Sequence, residues 1–180
     1  MTRYAWVLRI VVLTLLLVFG LVLQTSVFSE IAFLGVRPHV ILVIVVSIGF
    51  LRGPTHGFGA GFLGGLLADV FTGHLIGLGA GALALTGGLV GYAGQRLVRD
   101  RLLPVVLLTA GATLLHEMAY AGGAWLFGIH FPFVEGFVRI IAPLLLYNAI
   151  FSLLLHNRLA SLNGWIERTA LVPHRSIPID

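Results

Sequence analysis

Apolar residues form six long runs along the chain, and polar residues are largely confined to the short segments between them. A helix that crosses the hydrocarbon core of a bilayer needs about 20 mostly apolar residues, and several of the runs approach this length. The pattern therefore predicts six membrane-spanning helices that together use nearly the whole chain. Their predicted bounds are Tyr4–Phe28, His39–Leu51, Pro54–Phe71, Leu75–Gly94, Leu102–Phe127 and Phe133–His156.

Glycine and proline mark the breaks between the runs. Gly53 relaxes the turn after the second run, and Pro54 suits the first position of the third helix. Thr72-Gly73-His74 is a minimal loop before the fourth. We therefore expect an all-α membrane protein, a six-transmembrane-helix bundle over residues 1–156, with connections too short to form a separate catalytic domain.

The segment after His156 is predicted to differ from the bundle. Leu159, Leu162 and Ile166 are spaced like one face of a helix, whereas Gly164 weakens the helix prediction. These residues favour a short helix lying at the membrane interface, followed by a loose end. We expect residues 157–180 to form a partly amphipathic cytoplasmic tail.

The arginines give the predicted helices a direction. With the amino terminus inside the cell, nine of the eleven arginines fall on the cytoplasmic side, and only Arg37 and Arg139 lie toward the outside. Positive residues are enriched in cytoplasmic loops of membrane proteins. The sequence thus predicts that both termini are cytoplasmic.

Composition agrees with a lipid environment and excludes several function classes. Charged residues make up 10% of the chain, against about 25% in a typical soluble domain. There is no cysteine, so disulfides and thiolate metal sites are excluded. The net charge of +4 comes from arginines scattered between apolar runs rather than from a basic face, which argues against nucleic acid as a partner.

Small residues follow a four-residue period in the third predicted span. One row is Gly53, Gly57, Gly61 and Gly65, and beside it runs a second row of His56, Ala60, Gly64 and Ala68. The next span repeats the period at Gly73, Gly77 and Gly81 and again at Gly87 and Gly91. Helices in lipid associate closely where small residues let their backbones approach. We favour packing within the chain, and the alternative is a groove for a partner helix.

Among the ionisable residues within the predicted spans, we single out Asp69, His116, Glu117 and Arg139. Such residues are costly in a membrane and suggest a functional role by default. Asp69 lies near the outer end of the third span, where it is either an interfacial residue wetted by headgroups or one bonded to the short turn that follows; we favour these two interpretations over a substrate site. We hypothesise that His116, Glu117 and Arg139 form a buried polar cluster, which either fixes helix register or serves a function. Glu135 precedes Arg139 by four residues and could pair with it locally.

No complete set of catalytic or metal-binding residues is present. A zinc protease helix needs a second histidine four residues after His116, and that position is Tyr120. Gly59, Gly61 and Gly64 match a dinucleotide-binding pattern, but that motif requires a preceding strand. We expect no enzymatic activity, no metal and no cofactor.

The order of several short motifs resembles a known family. Leu23-Gln24-Thr25 closes the first span, Val36-Arg37-Pro38 ends an outer loop, and Arg52-Gly53 ends the second span. A glycine-laden segment from Gly61 to Asp69 follows, and then Gly73 and Gly77-Leu78. Over residues 20–80 this order resembles the bacterial rod-shape-determining membrane protein family MreD. His39 stands where the resemblance leads us to expect an acidic residue.

The resemblance implies a non-enzymatic scaffold of the cell-elongation machinery in the bacterial inner membrane, acting in peptidoglycan synthesis. Its implied partners are the single spanning helix of MreC, and with it MreB, RodA and a class B penicillin-binding protein. The family is also similar in architecture to the substrate-binding subunits of energy-coupling-factor vitamin transporters. The alternative function is therefore ligand binding, in a cavity lined by Asp69, Trp125 and the sixth span.

Overall fold

The computed structural model describes residues 3–28, 35–73, 75–97, 102–129 and 137–171, and this part of the chain is all-helical. Each of the six predicted apolar runs contains one α-helix, so the predicted helix count is confirmed. The helices are α1 Arg3–Val22, α2 Val40–Arg52, α3 Pro54–Thr72, α4 Leu78–Gly94, α5 Leu102–Leu126 and α6 Ala142–Leu171. A π-helical turn, Leu23–Val27, extends α1, and another, Phe137–Ile141, precedes α6.

Three of the helical regions are long and apolar enough to cross a membrane: Val7–Val27, Leu102–Leu126 and Arg139–Ile166. α2 and α4 are shorter apolar helices. The burial of α2 explains how a short helix can be accommodated. Every residue from Val40 to Ser47 is buried, because α2 lies at the centre of the bundle and contacts all five other helices. A helix that is apolar on all sides is typical of such a central position.

The junction between α2 and α3 forms as the sequence predicts. Gly53 has a φ of +91°, a backbone conformation that a side chain disfavours, and Pro54 occupies the start of α3. α3 ends at Gly73, which is left-handed with a φ of +68° and donates its N–H to the carbonyl of Asp69 at 3.0 Å. Such a glycine is a common way to terminate a helix.

α6 differs from the sequence prediction, because it continues without interruption past His156 to Leu171. The apolar face at Leu159 and Ile166 is buried, so these residues pack on the bundle instead of lying separately at an interface. Burial of such side chains contributes about 1.5–3 kcal/mol each, which outweighs the roughly 1 kcal/mol penalty for Gly164 in a helix. The end of the predicted tail, residues 172–180, lies outside the described residues.

Consecutive helices alternate in direction, which gives the bundle two distinct ends. We name one the arginine end, because Arg9, Arg52 and Arg158 lie there. Arg9 and Arg52 share a cavity, a methyl group at Gly53 would lie 3.4 Å from Gln95 Nε2, and the ring of His156 packs on Phe50. The other, which we name the cavity end, gathers Gln24, His39, Asp69 and Tyr120 around one polar cavity.

Candidate functional site

α3 and α4 make the most extensive helix contact in the bundle, and glycines form it. A methyl group at Gly57 would collide with the carbonyl oxygen of Gly87, and one at Gly61 with the carbonyl of Leu83. At Gly65 it would meet the backbone of Gly79 and Ala80. We name Gly57, Gly61 and Gly65 with their α4 contacts the glycine seam. Its backbones are in direct contact, which only the absence of side chains permits.

The seam continues to the arginine end and includes α2. A methyl group at Gly91 would lie 2.6 Å from the backbone of Gly53 and Pro54, and one at Gly49 of α2 would lie 2.7 Å from the carbonyl oxygen of Gly87. Three helices therefore meet at Gly87 with almost no side chain between them. The first row of small residues is covered by this contact, so α4 occupies the groove that a partner helix could otherwise enter.

The second row of small residues faces a different part of the bundle. A methyl group at Gly64 would lie 2.8 Å from Ile41 of α2 and 3.1 Å from Leu17 of α1. Ala60 is also buried, and Ala68 lines the polar cavity. α3 is thus enclosed on two sides by its own chain.

Gly77 and Gly81 lie outside the seam, unlike the packing expected from their spacing. Gly77 precedes α4 with a φ of +99°, and a methyl group at Gly81 would meet no described atom within 4 Å. Gly77 lies before the start of α4 at Leu78, and Gly81 lies within α4 but does not face another of the described helices. The four-residue period therefore does not identify packing positions by itself.

Asp69 caps the start of α4 from the end of α3. Its side chain is buried, and Oδ2 accepts hydrogen bonds from the N–H of Gly77 at 2.8 Å and of Ala80 at 3.1 Å. The first N–H groups of a helix have no partner within the helix and carry a partial positive charge, so a carboxylate there is stabilising. A methyl group at Gly79 would collide with this carboxylate. Gly79 therefore makes room for the cap, and Gly77 permits the left-handed backbone, with a φ of +99°, that precedes α4.

The start of α2 is held by side chains from three other segments. His39 Nδ1 accepts from the N–H of Leu42 at 3.1 Å, and the N–H of His39 donates to Asn148 Oδ1 at 2.9 Å. Gln24, in the π-helical turn after α1, accepts from the N–H of Ile41 at 3.3 Å. Asn148 of α6 in turn donates to Thr113 Oγ1 of α5 at 3.0 Å. We name this network the α2 clamp.

Sequence reasoning missed most of the α2 clamp. Gln24 was noted only through the family resemblance, and neither Asn148 nor Thr113 was singled out. Single neutral polar residues in apolar spans form no recurring spacing that would mark them as a group in the sequence. The signal that could have found Asn148 is its chemistry, because a buried amide in a membrane helix requires hydrogen-bond partners.

A polar cavity of about 260 Å³ lies between the glycine seam and the α2 clamp. Its polar lining residues are Gln24, His39, Asp69, Thr72, His116, Glu117 and Tyr120. The rings of His39 and His116 meet edge to face, with centroids 5.0 Å apart. His116 Nδ1 is buried and has no hydrogen-bond partner among the described residues. Because His39 Nδ1 is an acceptor, its ring is neutral with the proton on Nε2.

The hypothesised cluster of His116, Glu117 and Arg139 differs from this arrangement. The cavity brings His116 and Glu117 together with Asp69, whereas the side chain of Arg139 is exposed and is not among the lining residues. Glu135, its predicted local partner, lies outside the described residues. Trp125, expected in the ligand-binding alternative, is 61% exposed and also outside the lining. Asp69 had appeared separate in sequence because α3 and α5 are distant along the chain.

Within the described ranges, no three histidine, aspartate or glutamate side chains are placed to hold a metal ion. The carboxylates and rings around the cavity can bind a polar guest or ordered water, and they fix the ends of α2 and α4.

The sequence profile of one family, described as rod shape-determining protein MreD, matches residues 4–162. The chain belongs to the MreD family. The match runs from α1 into α6 and includes the glycine seam, the Asp69 cap, the α2 clamp and the polar cavity. An MreD protein acts in the determination of rod shape and is a membrane protein, which agrees with the apolar helices. Neither a curated protein nor a solved structure matches the chain significantly.

Proposed function

We propose that this MreD protein is a non-enzymatic scaffold of the cell-elongation machinery that binds the spanning helix of MreC. The observation that carries the proposal is an uncovered small-residue face on α5. A methyl group at Gly111 or Gly122 would meet no described atom within 4 Å, and both residues are exposed. They are eleven residues apart, which is about three turns, so they lie on one side of the helix.

This face, which we name the α5 face, is opposite the side that α5 buries in the bundle. Thr109, Thr113 and His116 point inward, whereas Leu107 and Met118 flank the two glycines outside. A spanning helix of MreC could approach the α5 backbone closely at both glycines and gain van der Waals contact. The glycine seam cannot serve this purpose, because α4 already fills it.

The scaffold would lie in the inner membrane with its arginine end and both termini on the cytoplasmic side. Arginines of α1, α2 and α6 lie at that end, and the positive-inside rule supports this orientation. MreB would then meet the short arginine-bearing connections. RodA and a class B penicillin-binding protein would belong to the same assembly.

Co-purification with MreC tests the proposal. Gly111→Leu and Gly122→Leu should each fold and reduce MreC recovery at least fivefold, because leucine removes the close approach. Gly81→Leu is the matched control, since Gly81 is also an open glycine but lies on α4. Normal MreC recovery by the Gly111/Gly122 double variant, or an equal loss in Gly81→Leu, would overturn the α5 assignment.

The polar cavity supports a second candidate, a small-ligand-binding subunit like those of vitamin transporters. Its volume of about 260 Å³ lies just under the roughly 300 Å³ lower bound of typical ligand sites, which favours the scaffold. A ligand would have to be small and would face Glu117 and His116. Mass spectrometry of the purified protein should detect such a ligand, and Glu117→Gln should abolish it. An unliganded wild-type protein that still binds MreC would exclude this function.

A further inference from the structure

A second cavity, at the arginine end, has a different character. It measures about 210 Å³ and lies between α1, α2, α3 and α6. Most of its wall is apolar, including Leu13, Ile48, Leu63 and Leu159. We name it the arginine pocket, because Arg9 and Arg52 also line it. The pocket is partly open to the surface.

The polar part of the arginine pocket carries positive charge from Arg9 and Arg52. Its other polar lining residues are Thr55, His56 and Asn163, and no acidic residue is among its described lining residues. Arg9 lies inside the apolar span Val7–Val27, and its Nε is buried without a hydrogen-bond partner among the described atoms. A buried guanidinium nitrogen that lacks an acceptor is unfavourable in low dielectric. An anionic group from outside the described chain would supply this nitrogen with an acceptor and balance the charge of the two arginines.

The apolar wall restricts what that acceptor can be. A free anion such as inorganic phosphate would place its charge beside leucine and isoleucine side chains without covering them. A phospholipid suits both the arginines and the apolar wall of the pocket, because its phosphate accepts hydrogen bonds from arginine and its acyl chain covers the apolar wall. Basic pockets between membrane helices are suited to anionic headgroups. A zwitterionic lipid would add a cationic group beside two arginines and a histidine.

We infer that the arginine pocket binds an anionic phospholipid, with the phosphate at Arg9 and Arg52 and an acyl chain along Leu13, Ile48 and Leu63. The lipid would complete the packing of α6 residues 159–166 on the bundle, since Leu159, Leu162 and Ile166 border the same pocket. This site is separate from the α5 face and from the polar cavity.

Native mass spectrometry of the full-length protein, delipidated and titrated with lipid, tests the inference. Phosphatidylglycerol should bind more tightly than phosphatidylcholine. Arg9→Gln should weaken phosphatidylglycerol binding about fivefold, the factor that matches about 1 kcal/mol per basic residue. Arg96→Gln is the matched control, because Arg96 is exposed at the same end but outside the pocket. It should leave binding unchanged.

A second variant separates charge from space. Gly59 lines the pocket and has room for a side chain, so Gly59→Leu should fill it and block the lipid while keeping both arginines. Equal affinity for the two lipids in the wild-type protein would overturn the inference. Unchanged phosphatidylglycerol binding in Gly59→Leu would also overturn it, as would its displacement by millimolar inorganic phosphate, which would assign a free-anion site instead. If Arg9→Gln does not fold, lipid selectivity and Gly59→Leu still decide the question.

Discussion

Asp69 at the end of α3 binds the backbone N–H of Ala80 in the first turn of α4, at 3.1 Å. The same carboxylate oxygen binds the N–H of Gly77. Two consecutive helices are thereby joined at one end by a charge-assisted cap and along their length by the glycine seam. The cap fixes the residue at which α4 begins, and the glycine seam sets the distance between α3 and α4.

Removal of the cap should destabilise the bundle. Asp69→Ala leaves the buried N–H of Ala80 and the part-buried N–H of Gly77 without their acceptor, and an unsatisfied buried group costs about 1–3 kcal/mol. We expect a clearly lower Tm in detergent, with Asp69→Asn intermediate because its amide oxygen still accepts. An Asp69→Ala protein of unchanged Tm would show that the cap contributes nothing to stability.

Two glycine-to-alanine substitutions should have opposite signs. Gly61→Ala inserts a methyl group against the Leu83 carbonyl and should destabilise by about 1–3 kcal/mol through overpacking. Gly81→Ala enters open space and should stabilise by about 0.5–1 kcal/mol through lower backbone entropy in the unfolded state. Thermal unfolding of both variants in one detergent checks the difference. An equal change in Tm for the two variants would contradict the geometry of the glycine seam.

The α2 clamp should behave as one unit. Asn148→Leu removes the acceptor for His39 N–H and the donor to Thr113, and we expect a loss of about 1–3 kcal/mol. Thr113→Val should be less harmful in the Asn148→Leu background than alone, because their bond is already absent. A double-mutant cycle measures this coupling, and strictly additive effects would refute it.

The absence of cysteine makes a labelling test of orientation direct. Gln95→Cys at the arginine end should react with an impermeant maleimide only after the inner membrane is opened. Ile129→Cys at the opposite end should react in intact spheroplasts. Both residues are exposed. The reverse pattern would invert the proposed topology and place the arginine pocket on the outer side.

The positions of the helices were predictable because lipid and core both demand apolar runs. The break at Gly53 and Pro54 was predictable because local backbone preference decides it. The end of α6 was not, since Gly164 weakens the prediction of a helix there. Contacts of Leu159 and Ile166 with the distant α1 to α3 region overrule that local preference.

The candidate site was also predictable only in part, from features that are local in the sequence. Sequence alone identified Asp69, His116 and Glu117 as unusual, because ionisable groups in apolar runs are visible without coordinates. It proposed Arg139, on the next span, as a candidate partner of His116 and Glu117. It did not reveal that Asp69 shares their cavity or that Asn148 supports His39, since these residues are far apart along the chain.

The amino-acid sequence by itself determined the membrane environment, the six helices and the small-residue rows, because each depends on composition or on spacing within one segment. The family was indicated separately, by the resemblance in the order of its motifs. Tertiary structure alone decided which glycines touch another backbone, which remain open, and where the two cavities form. Those outcomes depend on the rotation and register of each helix against its neighbours, and no periodicity within a single helix encodes them.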